Sequence, residues 1–399
     1  MAMNSAIFWE VEHEGEPIDY LTPSRLARAV RCPWSVIRTS APLLPSGPES
    51  VLGSVLHDVV ERARQQRLEP GSDTKKALEA TFMHLLERAQ DRLEAEDRGH
   101  LVPLRRCIPW KTWTERKTAC FALALEAYTS KTSKNDQGER DDDTLHASTR
   151  MEHVPHGERA EVSLAARRGM LTGRIDLLVR HGQDIELIDF KTGRIHDAHG
   201  VLHDHITWQM RGYAALVDEL VEDARIRLVV RGRQGEHAWT YDESERVMTR
   251  QTLERLEARI VNHEDSLTLT SDSLAHPGPA CARCPKRYVC PAYLEVAPKW
   301  WHDAPEFAIP HDVWGVMSEV IDHGTHMTLE VKLGDGRCRR VCGLSHDIIP
   351  DGATLLEGEP VGLFGLAARR HDDSFHELPS TPSHRRAWET HVLVPDHVE

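Results

Sequence analysis

The sequence has few of the features that mark membrane-bound, secreted or disulfide-stabilised proteins. No apolar run in its 399 residues approaches the length of a membrane span. The N-terminus lacks the basic start and apolar core of a signal peptide, so we expect a cytoplasmic protein with no membrane partner. The 8 cysteines are too few for a disulfide scaffold in a chain of this length, and any cluster among them therefore suggests a metal site.

Positive charge is also scarce. The formal net charge of −14 argues against a protein coated in basic surface. It does not exclude nucleic-acid binding, because a local basic groove matters more than the total charge. The 40% hydrophobic and 28% charged residues indicate a soluble globular protein that is long enough for two or three domains.

The order of predicted elements indicates an α+β fold. After an N-terminal lead (1–20), residues 21–298 read as one domain, and its segment 53–130 has the apolar spacing of helices. The stretch 130–144 has no apolar residue, and we predict a mobile loop over 130–147. Residues 150–262 then alternate short apolar strands with two helices, which predicts a small mixed sheet. In the last part of the chain, 299–399, a hairpin and further short strands favour a compact C-terminal β-barrel of the oligonucleotide-binding (OB) type.

The segment "DIELIDFKTGR" (184–194) carries an acid and a base two places apart in a predicted strand. Because side chains alternate along a strand, Asp189 and Lys191 share a face. The preceding strand, "LTGRIDLLVR", carries Asp176, and the turn at 181–183 makes the two strands antiparallel neighbours. Two carboxylates and a lysine at one end of a hairpin suit Mg²⁺- or Mn²⁺-assisted phosphodiester cleavage. The alternative is a hairpin in which these residues only form salt bridges. It would require the placement of Asp176, Asp189 and Lys191 to be three separate coincidences.

At these residues the sequence resembles a known family. "GRID…IDFKTG" is similar to motifs II and III of the PD-(D/E)XK nucleases, in their RecB-like branch. "GSVLH" (53–57) resembles the helical motif of that branch, and "QMRGY" (209–213) resembles its Q-x-x-x-Y helix. The likeness covers roughly 20–295, and it implies a restriction-endonuclease-like core with a helical N-terminal region.

The resemblance also implies roles for individual residues. His57, Asp176 and Asp189 would bind Mg²⁺ or Mn²⁺, helped by the main-chain carbonyl of Phe190. Lys191 would act in catalysis, and Gln209 with Tyr213 would steady the site or the substrate strand. Gln209 and Tyr213 are four residues apart and therefore share a helix face.

Three cysteines form a C-x₂-C-x₅-C array in "CARCPKRYVC": Cys281, Cys284 and Cys290. With the distant Cys32 in "RCPWS", they resemble the iron–sulfur subgroup of the RecB-like nucleases, found in AddB-type subunits and CRISPR-adaptation exonucleases. That resemblance implies a structural [4Fe–4S] cluster, although thiolates suit zinc equally well. The other four cysteines read as structural: Cys107 and Cys120 as buried thiols, and Cys338 and Cys342 on a hairpin arm.

The combined prediction is a metal-dependent DNA nuclease, an exonuclease acting on single-stranded DNA or DNA ends in repair or defence. A helicase or another nucleic-acid-processing subunit is an expected partner. Two alternatives stay open: a DNA- or helicase-binding subunit with little cleavage activity, and a zinc-stapled interaction protein. The C-terminal domain would either grip single-stranded DNA through Trp314, Phe364 and Phe375 or dock a partner.

Overall fold

We describe the protein from a computed structural model. It places residues 14–39, 48–95, 104, 111–135, 154–166, 170–232, 235–261, 269–304, 306–309, 312–324, 327–344, 346, 355–364 and 391–393. No helix in these segments is long and apolar enough to cross a membrane.

The N-terminal segment packs against the core of the molecule. Strand β1 (Glu14–Gly15) precedes helix α1 (Pro23–Ala29) and a short 3₁₀ turn (Pro33–Val36). The side chain of Thr22 caps α1 by accepting the Arg25 backbone N–H at 3.2 Å, with proline at the first helical position. The Thr-Pro-Ser sequence thus starts the helix where its local chemistry predicts.

Three helices form a layer with a hydrophobic core of its own. They are α2 (Pro48–Arg64), α3 (Thr74–Ala95) and α4 (Lys111–Asn135). Two predicted boundaries were wrong: α2 begins at Pro48 rather than near residue 53, and α4 continues through 130–135, which the sequence predicted as loop. A helix can extend through polar residues because its backbone hydrogen bonds need no apolar face. The rest of the predicted loop, 136–147, lies outside the described residues.

A five-stranded mixed sheet lies at the centre of the first part of the chain. Its strand order is β2-β3-β4-β5-β6, and only the β4–β5 pair is parallel. A parallel pair needs a crossover, which helix α5 supplies, and helix α6 follows the sheet. The bounds are β2 Gly157–Ala166, β3 Leu171–His181, β4 Asp184–Lys191, α5 Asp204–Leu220, β5 Arg225–Gly232, β6 Gly235–Thr240 and α6 Glu243–Ile260. The predicted mixture of helices and a mixed sheet is confirmed.

Helix α5 lies unusually close to α1, and a glycine makes this possible. A Cβ atom built on Gly212 would lie 2.9 Å from the Cα of Pro23, closer than real Cβ contacts come. The close packing fixes α5 against the N-terminal helix, and with it the side chains that α5 directs towards the sheet.

The cysteine-rich segment connects the central sheet to a second sheet. Strand β7 (Leu269–Thr270) pairs with β1, and helix α7 (Ser271–Leu274), two 3₁₀ turns (Pro279–Arg283 and Arg287–Val289) and helix α8 (Pro291–Asp303) follow. The second sheet is antiparallel, in the order β10-β9-β8-β11-β12. Its strands are β8 Val313–Asp322, β9 Met327–Lys332, β10 Cys338–Leu344, β11 Pro360–Phe364 and β12 His391–Leu393. Closure of this sheet into an OB-type barrel stays a prediction.

Two aromatic residues predicted to stack on DNA are buried in this region instead. Trp314 is 4% exposed and Phe364 is fully buried, and their rings meet edge to face with centroids 5.3 Å apart. Phe364 also contacts Tyr293 of α8. Phe364 therefore joins the second sheet to α8, and the prediction that Trp314 and Phe364 stack on DNA was wrong because both are buried. Phe375 lies outside the described residues.

A buried ion pair joins the cysteine segment to the start of the second sheet. Arg287 donates to both carboxylate oxygens of Asp312, at 2.8 Å from Nε to Oδ2 and 2.7 Å from Nη2 to Oδ1. The hydroxyl of Tyr293 donates to Asp312 Oδ2 at 2.6 Å. One charged network thus holds the 3₁₀ turn, α8 and the approach to β8 together.

Candidate active site

The register of the central hairpin brings two acids side by side. The antiparallel ladder ends where Leu177 of β3 pairs with Ile188 of β4, and Asp176 and Asp189 are the next residues of the two strands. Asp189 is 2% exposed, and the backbone N–H of Phe190 donates to Asp176 Oδ2 at 2.8 Å. Burial and the adjacent charge of Asp189 raise the pKa of Asp176 to about 7.

The lysine of the DFK segment lies between this acid pair and helix α5. Lys191 Nζ is 2.7 Å from Asp189 Oδ2 and donates to Gln209 Oε1 at 2.9 Å. The Gln209 amide in turn donates to Asp189 Oδ1 at 3.4 Å and to the Tyr213 hydroxyl oxygen at 3.3 Å. Burial raises the pKa of Tyr213, and the charges of the two acids add to that effect. The predicted lysine, glutamine and tyrosine thus form one connected network with the acids.

Helix α2 contributes the predicted histidine. His57 lines a small cavity together with Phe190, Lys191 and Thr192 at the end of β4. Burial lowers the pKa of His57, the negative charge of Asp189 partly opposes this, and the positive charge of Lys191 reinforces it. His57 is therefore a neutral imidazole at neutral pH, which is the form that binds metal ions.

A second residue of α2 reaches the site and was missed from the sequence. The guanidinium of Arg64 lies 3.9 Å from the ring centroid of Phe190 and donates to the main-chain oxygen of Asp176 at 3.4 Å. Arg64 follows His57 by seven residues, so the two share one face of the helix. The seven-residue spacing from His57 is the sequence signal from which Arg64 could have been predicted.

A third acid lies beside the pair and was also missed. Ala160 pairs with Leu177 and Val162 with Ile175, so Glu161 lies opposite Asp176 on the neighbouring strand β2. Glu161 has a positive φ of 55°, a backbone conformation that favours glycine. Burial and the nearby acid Glu61 raise its pKa to about 7.

Arg174 forms ion pairs with both Glu61 and Glu161. Its guanidinium is 2.7 Å from Glu61 Oε2 and also pairs with Glu161. The pairing register of β2 was the information needed to find Glu161. A single strand pattern does not supply that register.

The geometry agrees with a family comparison. A family model of the PD-(D/E)XK nuclease superfamily matches residues 20–291. The chain belongs to the PD-(D/E)XK nuclease superfamily. Membership indicates a nuclease, which hydrolyses phosphodiester bonds, and nucleases of this superfamily typically use Mg²⁺ or Mn²⁺. The central mixed sheet with flanking helices is consistent with the superfamily fold.

Other comparisons add little to this assignment. No curated protein matches the chain. Among solved structures, the crystal structure of SSO0001 is similar with a TM-score of 0.24 and 14% sequence identity, over 59% of this chain and 95% of that chain. At that score the similarity supports no conclusion about fold or function.

The donor set of this superfamily site suits a hard divalent cation. As placed, no group of three or more His, Cys, Asp or Glu among the described residues is gathered closely enough to hold a metal ion. A cation would nevertheless stabilise both carboxylates. The pKa of Asp176 is raised, and Asp189 Oδ2 has an ion-pair contact but no hydrogen bond within the described residues. Two carboxylates, an imidazole and a main-chain carbonyl are ligands that Mg²⁺ and Mn²⁺ accept.

Four cysteines from the two ends of the nuclease domain lie near one another. Cys290 interacts electrostatically with Cys32, Cys281 and Cys284, and burial raises its pKa to about 12. Burial likewise raises the pKa of Cys281 to about 11. The three cysteines of "CARCPKRYVC" and the cysteine of the distant "RCPWS" thus come together in the fold.

Backbone amides surround the sulfur atoms of these cysteines. His276 N–H donates to Cys32 Sγ and Gly278 N–H to Cys281 Sγ, each at 3.4 Å. The backbone N–H groups of Lys286 and Tyr293 donate to the sulfurs of Cys284 and Cys290 and lower the pKa values of these thiols against the larger effect of burial. Each amide donor favours the thiolate form of the sulfur that it contacts, but as placed no three of the described cysteines are gathered closely enough to hold a metal ion.

Two further cysteines of the described residues lie elsewhere in the fold. Cys120 is buried, as predicted, and its thiol donates to the Leu56 carbonyl at 3.1 Å. Cys338 is an exposed free thiol on β10. Cys107 and the side chain of Cys342 lie outside the described residues.

Proposed function

We propose that this chain is a Mg²⁺- or Mn²⁺-dependent deoxyribonuclease, an exonuclease that acts on single-stranded DNA or DNA ends in repair or defence. The observation that supports the proposal is the connected network of Asp176, Asp189, Lys191, Gln209 and Tyr213. A hairpin that used its acids only for stability would not need Asp189 buried beside a second carboxylate of raised pKa. A helicase or another nucleic-acid-processing partner stays a prediction.

The proposed roles follow from the positions of the side chains. Asp176, Asp189, His57 and the carbonyl of Phe190 would hold the divalent cation. When bound, the cation would polarise the scissile phosphate and make a nearby water more acidic. Lys191 would orient the attacking water and stabilise the charge that builds on the phosphate, because its ammonium is held between Asp189 and Gln209. Gln209 and Tyr213 would keep the lysine in that position.

We further propose that Cys32, Cys281, Cys284 and Cys290 hold a [4Fe–4S] cluster. The convergence of the four cysteines and the amide donors to their sulfurs support a thiolate-ligated centre. Its role would be structural, because Cys32 and the C-x₂-C-x₅-C array come from opposite ends of the domain and a shared ligand offsets the entropy of closing so long a loop.

The test of nuclease activity uses variants of strand β4. Lys191→Ala and Asp189→Asn should reduce Mn²⁺-dependent cleavage of single-stranded DNA at least about a hundredfold. Glu186→Gln is the matched control, because Glu186 lies on the opposite face of the same strand, where it pairs with Arg227 at 3.5 Å. Cleavage by Lys191→Ala at the wild-type rate would refute the site, and DNA labelled at either end would report the polarity.

A further inference from the structure

A row of side chains runs from the catalytic lysine to the loop between two of the clustered cysteines. Lys191 contacts Gln209 on α5, and His205 lies one turn earlier on the same face of that helix. His205 Nε2 is 3.3 Å from Nη1 of Arg283, which lies between Cys281 and Cys284. One face of α5 therefore contacts the catalytic lysine through Gln209 and the cysteine loop through His205.

Among the residues that the structure describes, no acid forms an ion pair with Arg283. Its side chain is exposed, and within the described residues no carboxylate pairs with it. The neighbouring Arg31 differs, because it forms an ion pair with Asp204 at 3.2 Å. In a chain with a net charge of −14, an arginine that has no acidic partner within the described residues marks a local positive surface beside the active site.

The surroundings of His205 indicate the same positive potential. Burial lowers the pKa of His205 to about 4, and the positive charges of Arg283 and Arg31 lower it further. The imidazole is therefore neutral at neutral pH. Because a guanidinium can only donate hydrogen bonds, we assign Nε2 as the acceptor and place the proton on Nδ1. This tautomer retains an N–H donor, and Arg283 keeps further N–H groups.

We propose that Arg283 and His205 form a phosphate-binding subsite for the DNA backbone, next to the phosphate that is cleaved. The proposal rests on the proposed function and adds a second contact point for its substrate. His205 and Gln209 are four residues apart, about 6 Å along the helix, so the subsite holds a neighbouring phosphate of the same strand. The cysteine loop thereby presents an arginine to the substrate, in addition to its structural role.

The test measures DNA binding without cleavage. The full chain, free of divalent metal, is titrated into a fluorescein-labelled single-stranded 20-mer at several salt concentrations, and fluorescence anisotropy is recorded. Arg283→Gln should weaken binding about three- to tenfold and reduce the slope of log K against log salt by about 0.7, the value for one lost phosphate contact. Arg283→Lys should retain most of the salt slope, because it keeps the charge.

Arg225→Gln is the matched control. Arg225 is exposed and pairs with Asp184 at the opposite end of β4 from Lys191, seven residues or about 23 Å away. With Mn²⁺ present, Arg283→Gln should raise KM and leave kcat unchanged. Wild-type affinity and salt slope in Arg283→Gln would overturn the subsite while cleavage stands. A wild-type chain that neither binds nor cleaves DNA would overturn the proposed function and this subsite together.

Discussion

The backbone N–H of Phe190 donates to Asp176 Oδ2 at 2.8 Å, so the strand that carries Asp189 also holds the other carboxylate in place. The bond leaves Asp176 beside a second acid in a buried site, and its pKa rises to about 7. Without a cation, Asp176 therefore carries a proton at mildly acidic pH. Two carboxylates placed together in a buried functional site lower the stability of the fold, and the loss of stability can be measured.

Asp176→Asn should stabilise the metal-free protein. The pKa of Asp176 is higher in the folded chain than in the unfolded chain, so its proton favours folding, and this contribution is lost as pH rises from about 4 to about 7. Asparagine is neutral and still accepts the Phe190 N–H. At pH 8 without metal, we expect a gain of roughly 1–3 kcal/mol in urea unfolding, which shrinks at pH 5. A variant less stable than wild type at pH 8 would contradict the assigned pKa.

Affinity for Mn²⁺ should fall as pH falls below about 7. Metal and proton compete for Asp176, so one displaced proton weakens apparent binding by up to about tenfold per pH unit. The lowered pKa of His57 means that the imidazole adds to this loss only at more acidic pH. Calorimetric titration at pH 8, 7 and 6 measures the effect. If the affinity for Mn²⁺ did not change between pH 8 and pH 6, Asp176 would not be a ligand of the metal.

Arg64 should position the metal-binding residues without touching the substrate. It packs on Phe190 and holds the main chain of Asp176, so Arg64→Met should weaken Mn²⁺ affinity or kcat about 10–100-fold with little change in the KM for DNA. Arg62→Met is the control on the same helix, because Arg62 pairs with Glu69 at 3.2 Å. If Arg64→Met instead raised only the KM for DNA, Arg64 would be a substrate contact.

Asp312→Ala should destabilise the protein strongly. It would leave Arg287, whose side chain is 7% exposed, without its carboxylate partner, at a cost of about 3–5 kcal/mol. Glu295→Gln on α8 removes an exposed pair with Lys299 and should change stability by less than about 0.5 kcal/mol. Chemical unfolding compares the two, and equal effects would show that the buried network is not a structural joint.

The cysteine group should make anaerobically purified protein brown, with about four iron and four sulfide per chain. Cys281→Ser should bleach it and lower its solubility, because the shared ligand joins distant parts of the chain. Cys338→Ser should do neither, since Cys338 is exposed on β10. Colourless, active protein with one zinc per chain would refute the iron–sulfur cluster and leave the nuclease proposal intact.

The sequence by itself determined the local elements and the central motif. The Thr22 cap, the alternation in β3 and β4 and the turn between them are properties of a few neighbouring residues. Asp189 and Lys191 share a face for the same reason, because side-chain direction in a strand depends only on its period of two. Such features need no knowledge of distant contacts, which is why they could be predicted.

Only the tertiary structure placed Glu161 opposite Asp176, laid Arg64 on Phe190 and packed Phe364 against Tyr293 of α8. Each contact depends on strand register or on helix packing between segments far apart in the chain. Neither is encoded in a local period, because the same alternating strand can pair in several registers and an aromatic residue suits a core as well as a surface. The packing of distant elements decided between these outcomes.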